Sequence, residues 1–385
     1  MTGKAAAFRL AAFYCALFAA VGVQLPFWPL WLKDRGLSPG DIGLILAATY
    51  LMKMVVNPLV GHVVDRRGDR RRPMTIMAVG AALTWACFAF VGEFWGILAV
   101  TVLSLSLWSG IMPVGESLAL MITQRHRLDY GRVRLWGSAA FILTAIGVGR
   151  LLVDHPPTIL VWLIAGLLGL MAFACAALPD ARVPVSAEGN APLRPLLTSA
   201  GFLLFLAAGS LNQVSHTVYY AFSTIHWKAA GIADDTIGLL WSEGVIAEIV
   251  LFSMSGHVVR RVGPAGLILI AALCGVVRWG VLGATTELPL LFAAQILHGA
   301  TFGCAHLGAM HYIQRTIPAG LSARAQGIYS AVAMGAAPGL MSPLTGRLYE
   351  SLGGYAFMVM AGFSLLSALA AWRMVRPGCG RGGAM

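Results

Sequence analysis

Charge is what this sequence has least of. Only 11% of its 385 residues are Asp, Glu, Lys or Arg, against about 25% in soluble domains. A chain this poor in ionic surface does not stay dissolved as a cytosolic enzyme, and with 58% hydrophobic residues it is not a disordered one. It also lacks any CxxC pair. Five of its six cysteines (Cys15, Cys87, Cys175, Cys274, Cys304) lie inside apolar runs and Cys379 lies in the tail, which argues against a disulfide framework or a zinc site. Alternating ten-residue apolar segments, the mark of a membrane β-barrel, are missing as well. What is present is a series of continuous apolar runs and a mean hydropathy of +0.78. In lipid such runs must be helices, because every backbone polar group has to be paired within its own segment. The fold class is therefore an all-α membrane protein.

Twelve runs are long enough to cross a bilayer. They lie near 10–32, 42–64, 74–92, 96–122, 135–153, 158–178, 199–225, 236–259, 264–284, 288–312, 326–348 and 355–375. The first carries no cleavage site of a signal peptide. The net charge of +11 comes from 23 Arg and 4 Lys against 16 acids. With the N-terminus inside, 20 of the cations fall in inside segments and 3 (Lys33, Arg35, Lys228) in outside loops. That bias predicts both termini in the cytoplasm, and it accounts for the basic pI without nucleic acid. A Pro-rich stretch over 179–198 is the expected cytoplasmic linker between an N-terminal six-helix bundle, 1–178, and a C-terminal one with a short tail, 199–385.

The two halves are related. Shifted by 195, residues 33–68 meet identical residues at 12 of 36 positions without a gap, among them Ile42-Gly-Leu44 on Ile237-Gly-Leu239 and Gly61-His-Val-Val64 on Gly256-His-Val-Val259. The shift carries span two onto span eight. An even number of crossings preserves orientation, so the reading is twelve transmembrane helices in two pseudo-symmetric six-helix bundles, a parallel repeat.

The loop after span two reads Gly61-His-Val-Val-Asp65-Arg66-Arg67-Gly68-Asp69-Arg70-Arg71-Arg72. A carboxylate at a helix end, a glycine turn and a cationic run can form a charge-assisted latch, for which Gly61, Asp65, Arg66, Gly68 and Arg70 are the candidates. A purely topogenic positive loop is the competing account. This loop resembles the signature of the major facilitator superfamily. Pro26-Phe-Trp with Trp31-Leu-Lys33, Leu128-Asp-Tyr-Gly-Arg-Val-Arg-Leu-Trp-Gly-Ser138, Val245-Ile-Ala-Glu248, Cys274-Gly-Val-Val-Arg-Trp279, Gln295-Ile-Leu-His298 with His306, and Tyr329-Ser-Ala-Val-Ala-Met-Gly335 resemble its phenylpropionate permease branch, which borders on nucleoside and oligosaccharide proton symporters. The resemblance implies proton-driven uptake with an aromatic acid as leading substrate class, and a basic residue at Lys53. One departure is Glu243, where the branch carries an apolar residue; this ranks Glu243 below Glu248 for a shared role.

A charged side chain at mid-bilayer costs roughly 2.5–3.5 kcal/mol, so each must face a partner, water or the bundle interior. Glu248 in span eight is a candidate proton carrier, with Arg278 in span nine as the cation that holds its ionised form; a permanent ion pair is the alternative. Gln295, His298, Phe302 and His306 make one stripe of span ten, and His298 and His306 are candidates for proton handling or simple interhelical bonding. Glu116, three residues after Pro113 in span four, is either part of the coupling machinery or a structural pair, with Arg134 as a candidate partner. Tyr50, Lys53 and Asn57 share a face of span two. Asn212, His216 and Tyr220 recur at i, i+4, i+8 on span seven, and Gln24 is the lone amide of span one. Together with Gln295 these are the expected substrate contacts.

The sequence as a whole points to a proton-coupled symporter of a small organic solute, working by alternating access from the inner membrane as a monomer. Its partners are substrate, protons and the lipid bilayer; the proton gradient is the driver, with no cofactor and no metal. The alternatives are an efflux antiporter of the same fold, against which the lack of proline over Leu135–Arg150 counts, and a symporter of nucleosides or oligosaccharides. No Ser/His/Asp set, H-E-x-x-H or phosphate loop supports an enzyme.

Overall fold

A computed structural model describes residues 2–179 and 194–376. The described residues contain helices and turns and no strand. Span one is Gly3–Asp34, span two Pro39–Arg67 and span three Arg71–Ala86 with a 3-10 turn at Cys87–Phe90. Span four is Phe94–Trp108 continued by Ile111–His126 after a break at Ser109 and Gly110. Spans five and six are Tyr130–Asp154 and Ile159–Ala177. After a short helix, Arg194–Thr198, span seven runs as Ala200–Val214 and Thr217–Ala229, and span eight as Asp234–Ser253 and Ser255–Val262. Span nine is Pro264–Ala284. Span ten is Leu288–His298 and Ala305–Thr316 joined by a π-helical turn, Gly299–Cys304. Span eleven has the same construction: Ala319–Ala331, a π turn Val332–Ala336, then Ala337–Leu352. Span twelve is Ala356–Val375.

Ten helical stretches among the described residues are long and apolar enough to cross a membrane. One of them, Arg324–Val375, holds two spans around the turn at Gly353–Tyr355, and span seven, with Asn212, Gln213 and His216 at its centre, is not among the ten. Twelve spans result, and the chain is a multi-pass membrane protein. Several helices outrun their apolar cores: span one starts at Gly3 rather than near 10, and span eleven at Ala319 rather than 326. Long basic side chains such as Arg9 allow this, since they reach the interface while their stems cover the helix.

Local chemistry sets the ends. At span two, Ser38 Oγ accepts from the Asp41 N–H at 3.1 Å while Asp41 Oδ2 accepts from the Ser38 N–H at 3.1 Å, a reciprocal cap with Pro39 in the first turn. The helix stops at Gly68, whose φ of 65° is the left-handed conformation that an L side chain resists. The repeat is visible here. Shifting span two by 195 gives 234–262, the bounds of span eight, and Gly36 and Gly68 land on Gly231 and Gly263, all four with positive φ.

Contacts divide the described residues into two compact units. The first holds spans one to six and Gly231–Ser242. In it span one lies along spans five and six, and span three along span six. The second holds span seven, the remainder of span eight and spans nine to twelve. There span nine lies along span twelve, and span seven along span twelve as well. The pairings three–six and one–six thus recur as nine–twelve and seven–twelve, the packing expression of the sequence repeat. The linker expected over 179–198 lies, for 180–193, outside the described residues, as does the tail from 377.

Candidate functional site

In the second unit span nine delivers Arg278, fully buried, into the interior. Its Nη1 donates to His298 Nδ1 at 3.0 Å and to Thr301 Oγ1 at 3.1 Å, and its Nη2 donates to Gln295 Oε1 at 2.7 Å. The guanidinium carbon lies 4.4 Å from the centre of the Tyr219 ring and 4.6 Å from that of Trp279. Every one of these partners is neutral. An isolated ion moved into apolar surroundings loses several kcal/mol even after relaxation. Here three hydrogen bonds and two aromatic rings, the latter about 2 kcal/mol each in a desolvated site, work against that loss without a carboxylate, while Nε is buried with no hydrogen-bond partner.

The cage is closed by further bonds. Gln295 Nε2 donates to the Tyr219 hydroxyl at 2.9 Å, and Thr301 Oγ1 donates onward to the His298 carbonyl at 3.3 Å. Asn212 Nδ2 donates to the Thr301 carbonyl at 3.2 Å, Trp279 Nε1 to Ser215 Oγ at 3.1 Å, and Ser215 Oγ to the Asn212 carbonyl at 2.7 Å. The π turn is what places Thr301. Turns of this kind recur at functional sites because they re-aim side chains without ending the helix. Gly299 makes its close approach possible: a Cβ there would stand 2.8 Å from the Ala247 carbonyl of span eight.

These bonds fix the imidazoles. Arginine only donates, so His298 Nδ1 is an acceptor and the ring is neutral with its hydrogen on Nε2. His216 sits at the break of span seven and is fully buried; its Nδ1–H donates to the Asn212 carbonyl at 2.8 Å, and its Nε2 is buried with no partner. The two imidazole centres are 6.5 Å apart. The spacing expected on span seven survives the break, since the Tyr220 N–H still reaches the His216 carbonyl at 3.0 Å and the two rings stack at 5.8 Å.

Arg278 is not placed on Glu248. The carboxylate stands half-buried on span eight, and the guanidinium's partners are those named above. Depth along the two helices suggested the pair; their rotation about their own axes decides otherwise. Glu243, also half-buried, keeps Oε2 buried without a hydrogen-bond partner. His306 is exposed on the expected stripe, with the Phe302 ring stacked at 6.3 Å from it and 5.7 Å from His298.

The first unit holds a second cluster. Arg134 Nε meets Glu116 Oε1 at 3.2 Å, and Oε2 accepts from the Tyr14 hydroxyl at 2.9 Å and from the Tyr130 hydroxyl. The Arg134 guanidinium carbon lies 3.9 Å from the Phe18 ring centre. On span two, Lys53 is exposed with Nζ 5.8 Å from the Tyr50 ring centre; Tyr50 and Asn57 are half-buried, and Asn57 Oδ1 has no partner. Gln24 is half-buried on span one. Of the latch residues, Gly68 forms the turn, Arg70 is buried with Nε donating to Ser117 Oγ at 3.2 Å, Arg66 is exposed and Gly61 half-buried; the Asp65 side chain lies outside the described residues. Thr301, Tyr219, Trp279 and Ser215, and Tyr14 and Tyr130 in the other unit, were not among the expected site residues.

Comparison with known proteins agrees with this architecture. The sequence model described as "MFS_1 like family" matches residues 7–359. The chain is 37% identical over 365 residues to the "Probable 3-phenylpropionic acid transporter" of Escherichia coli K12, covering 91% of this chain and 93% of that one. It is 29% identical over 348 residues to the "Maltose permease" of Geobacillus stearothermophilus, covering 88% and 86%. Among solved structures, the nucleoside transporter NupG superposes with a TM-score of 0.80 at 16% identity, covering 96% of this chain and 99% of that one.

Proposed function

The chain belongs to the MFS_1 like family of the major facilitator superfamily and is a secondary transporter rather than an enzyme; from that premise we propose that it is a proton-coupled symporter taking up a small organic acid, with an aromatic acid such as a phenylpropionate as its leading substrate. The observation that carries this reading is Arg278: a buried cation whose hydrogen-bond partners are all neutral and which lies close to two aromatic rings, those of Tyr219 and Trp279. A carboxylate complements the unbalanced charge, and bidentate bonding to a guanidinium is the strongest form that complement takes. An aromatic body beside it matches the Tyr219 and Trp279 rings. The name of the 37% identical relative points to the same class. Lys53, exposed on span two of the first unit, is a further candidate cation for an acid.

In this proposal the acid and one proton enter from the outside, the proton by way of Glu248, the protein reorients by alternating access, and both are released inside. The protein works as a monomer in the inner membrane with both termini cytoplasmic; the bias of Arg and Lys among the loops supports that orientation. A neutral, hydroxylated substrate is the second reading, favoured by the likeness to a maltose permease and by the amides of Asn212 and Gln295.

A thermal-shift screen of the purified protein against phenylpropionates, nucleosides and oligosaccharides at two pH values separates these readings. Ligand bound at about 100 times its Kd stabilises by about 2.7 kcal/mol. The acid reading expects stabilisation by 3-phenylpropionate and none by a nucleoside or maltose; the reverse pattern contradicts it.

A further inference from the structure

The bond between Arg278 and His298 does more than hold the cage together. Its geometry requires the His298 Nδ1 lone pair, because the guanidinium has only hydrogens to offer. While Arg278 occupies that nitrogen, a proton cannot. Conversely, a protonated His298 would place two cations about 3 Å apart in a fully buried site. The two events exclude each other.

We propose that this bond is an interlock that makes proton loading conditional on substrate: the acid's carboxylate draws the guanidinium away from His298, and only then does Nδ1 take a proton from the aqueous side. The inference rests on the organic-acid reading and adds the order of events and the residue that enforces it. The step balances. The carboxylate accepts the two N–H groups it captures, Nδ1 gains the incoming proton, and Nε2 keeps the hydrogen it has.

The net charge of the cluster favours loading the acid and the proton together. The empty cluster carries one positive charge, on Arg278. Loaded with a carboxylate and one proton it carries Arg278, the anion and the His298 imidazolium, which is again one. A carrier must cross in both forms, and a cluster whose net charge is unchanged meets the same desolvation barrier each time. Binding the anion alone, or the proton alone, changes that charge by one.

The surroundings of His298 leave it exposed to this switch. From span seven it faces the hydroxyl ring of Tyr219, 6.1 Å between centres, and neutral His216; from span nine, Arg278. From its own helix it faces Gln295 and Thr301, and Phe302, whose ring stacks on it. Span eight packs on it through Gly244, where a Cβ would lie 3.2 Å from the imidazole, and brings the carboxylates Glu243 and Glu248 on that helix.

Calorimetry of 3-phenylpropionate binding at about pH 7, in two buffers of different ionisation heat, counts the protons taken up with the acid. Wild type is expected to take up about one proton per acid bound. His298→Gln keeps an acceptor for Arg278 but cannot titrate; it is expected to bind the acid and take up none. Nitrogen-15 histidine NMR of the wild-type protein tests the claim without a variant: a neutral His298 ring with hydrogen on Nε2 in the free protein, an imidazolium with the acid bound. Full proton uptake in His298→Gln, acid binding without proton uptake in wild type, or a ring that stays neutral with acid bound overturns the interlock alone. No binding of any organic acid by wild type overturns the substrate reading, and the interlock with it.

Discussion

Glu116 and Arg134 meet at 3.2 Å across spans four and five, and two tyrosines, Tyr14 of span one and Tyr130 of span five, complete the carboxylate's shell. A single carboxylate thereby ties spans one, four and five together. Its environment is part-buried, with about a quarter of each side chain exposed, so the ion pair itself contributes modestly. The larger contribution comes from the phenolic hydroxyls that would otherwise stand unpaired.

Glu116→Gln is therefore expected to lower stability by about 1–3 kcal/mol, since it removes the charge that two hydroxyls and a guanidinium share. Thermal unfolding of the purified variant checks this. An unchanged melting temperature would mean that the cluster contributes nothing to holding the first unit together.

Arg278→Lys tests the cage. A lysine ammonium cannot span His298, Thr301 and Gln295 from one planar fork. Acid affinity is expected to fall by tenfold or more (about 1.4 kcal/mol per decade), with charge retained. Affinity equal to wild type would show that only the charge matters and not the fork.

How much of this was legible in the sequence follows from what each signal encodes. Apolar runs report length, so the twelve spans and the repeat of span two in span eight were readable. Residue spacing on one helix reports a shared face, so the stripe of Gln295, His298 and Phe302 was readable too. Neither reports how a helix is turned against its neighbour. That is why Glu248 seemed a natural partner for Arg278 while Gln295, His298 and Thr301 hold it instead. The π turn at Gly299–Cys304 adds one residue to the helical period, which no apolar pattern reveals in a helix buried on several sides. Tyr14 reaches Glu116 from 102 residues away, and only the packing of span one brings it there.

The glycine turns offer a test of the repeat. Gly68→Ala and Gly263→Ala place a Cβ on backbone with positive φ and are each expected to cost roughly 1–2 kcal/mol. Gly61→Ala, in helical backbone with nothing within 4 Å of the added carbon, is expected to be neutral or stabilising. Equal effects at all three positions, read by thermal unfolding, would contradict the role assigned to the turns.

Lys53→Met removes a cation from an accessible face of span two. It is expected to weaken binding of 3-phenylpropionate by several-fold and to leave its uncharged amide analogue unaffected, as competition binding can show. Equal loss for both ligands would make Lys53 a structural residue.

Proton-driven accumulation of an organic acid is most directly measured in proteoliposomes given a pH jump, acidic outside, in the presence of labelled 3-phenylpropionate. Wild type is expected to concentrate the acid inside above its external level, with Glu248→Gln losing that accumulation while retaining exchange of internal for external acid. Expulsion of the acid under the same gradient, or undiminished uphill uptake by Glu248→Gln, would contradict the proposed direction in the first case and the proposed proton carrier in the second.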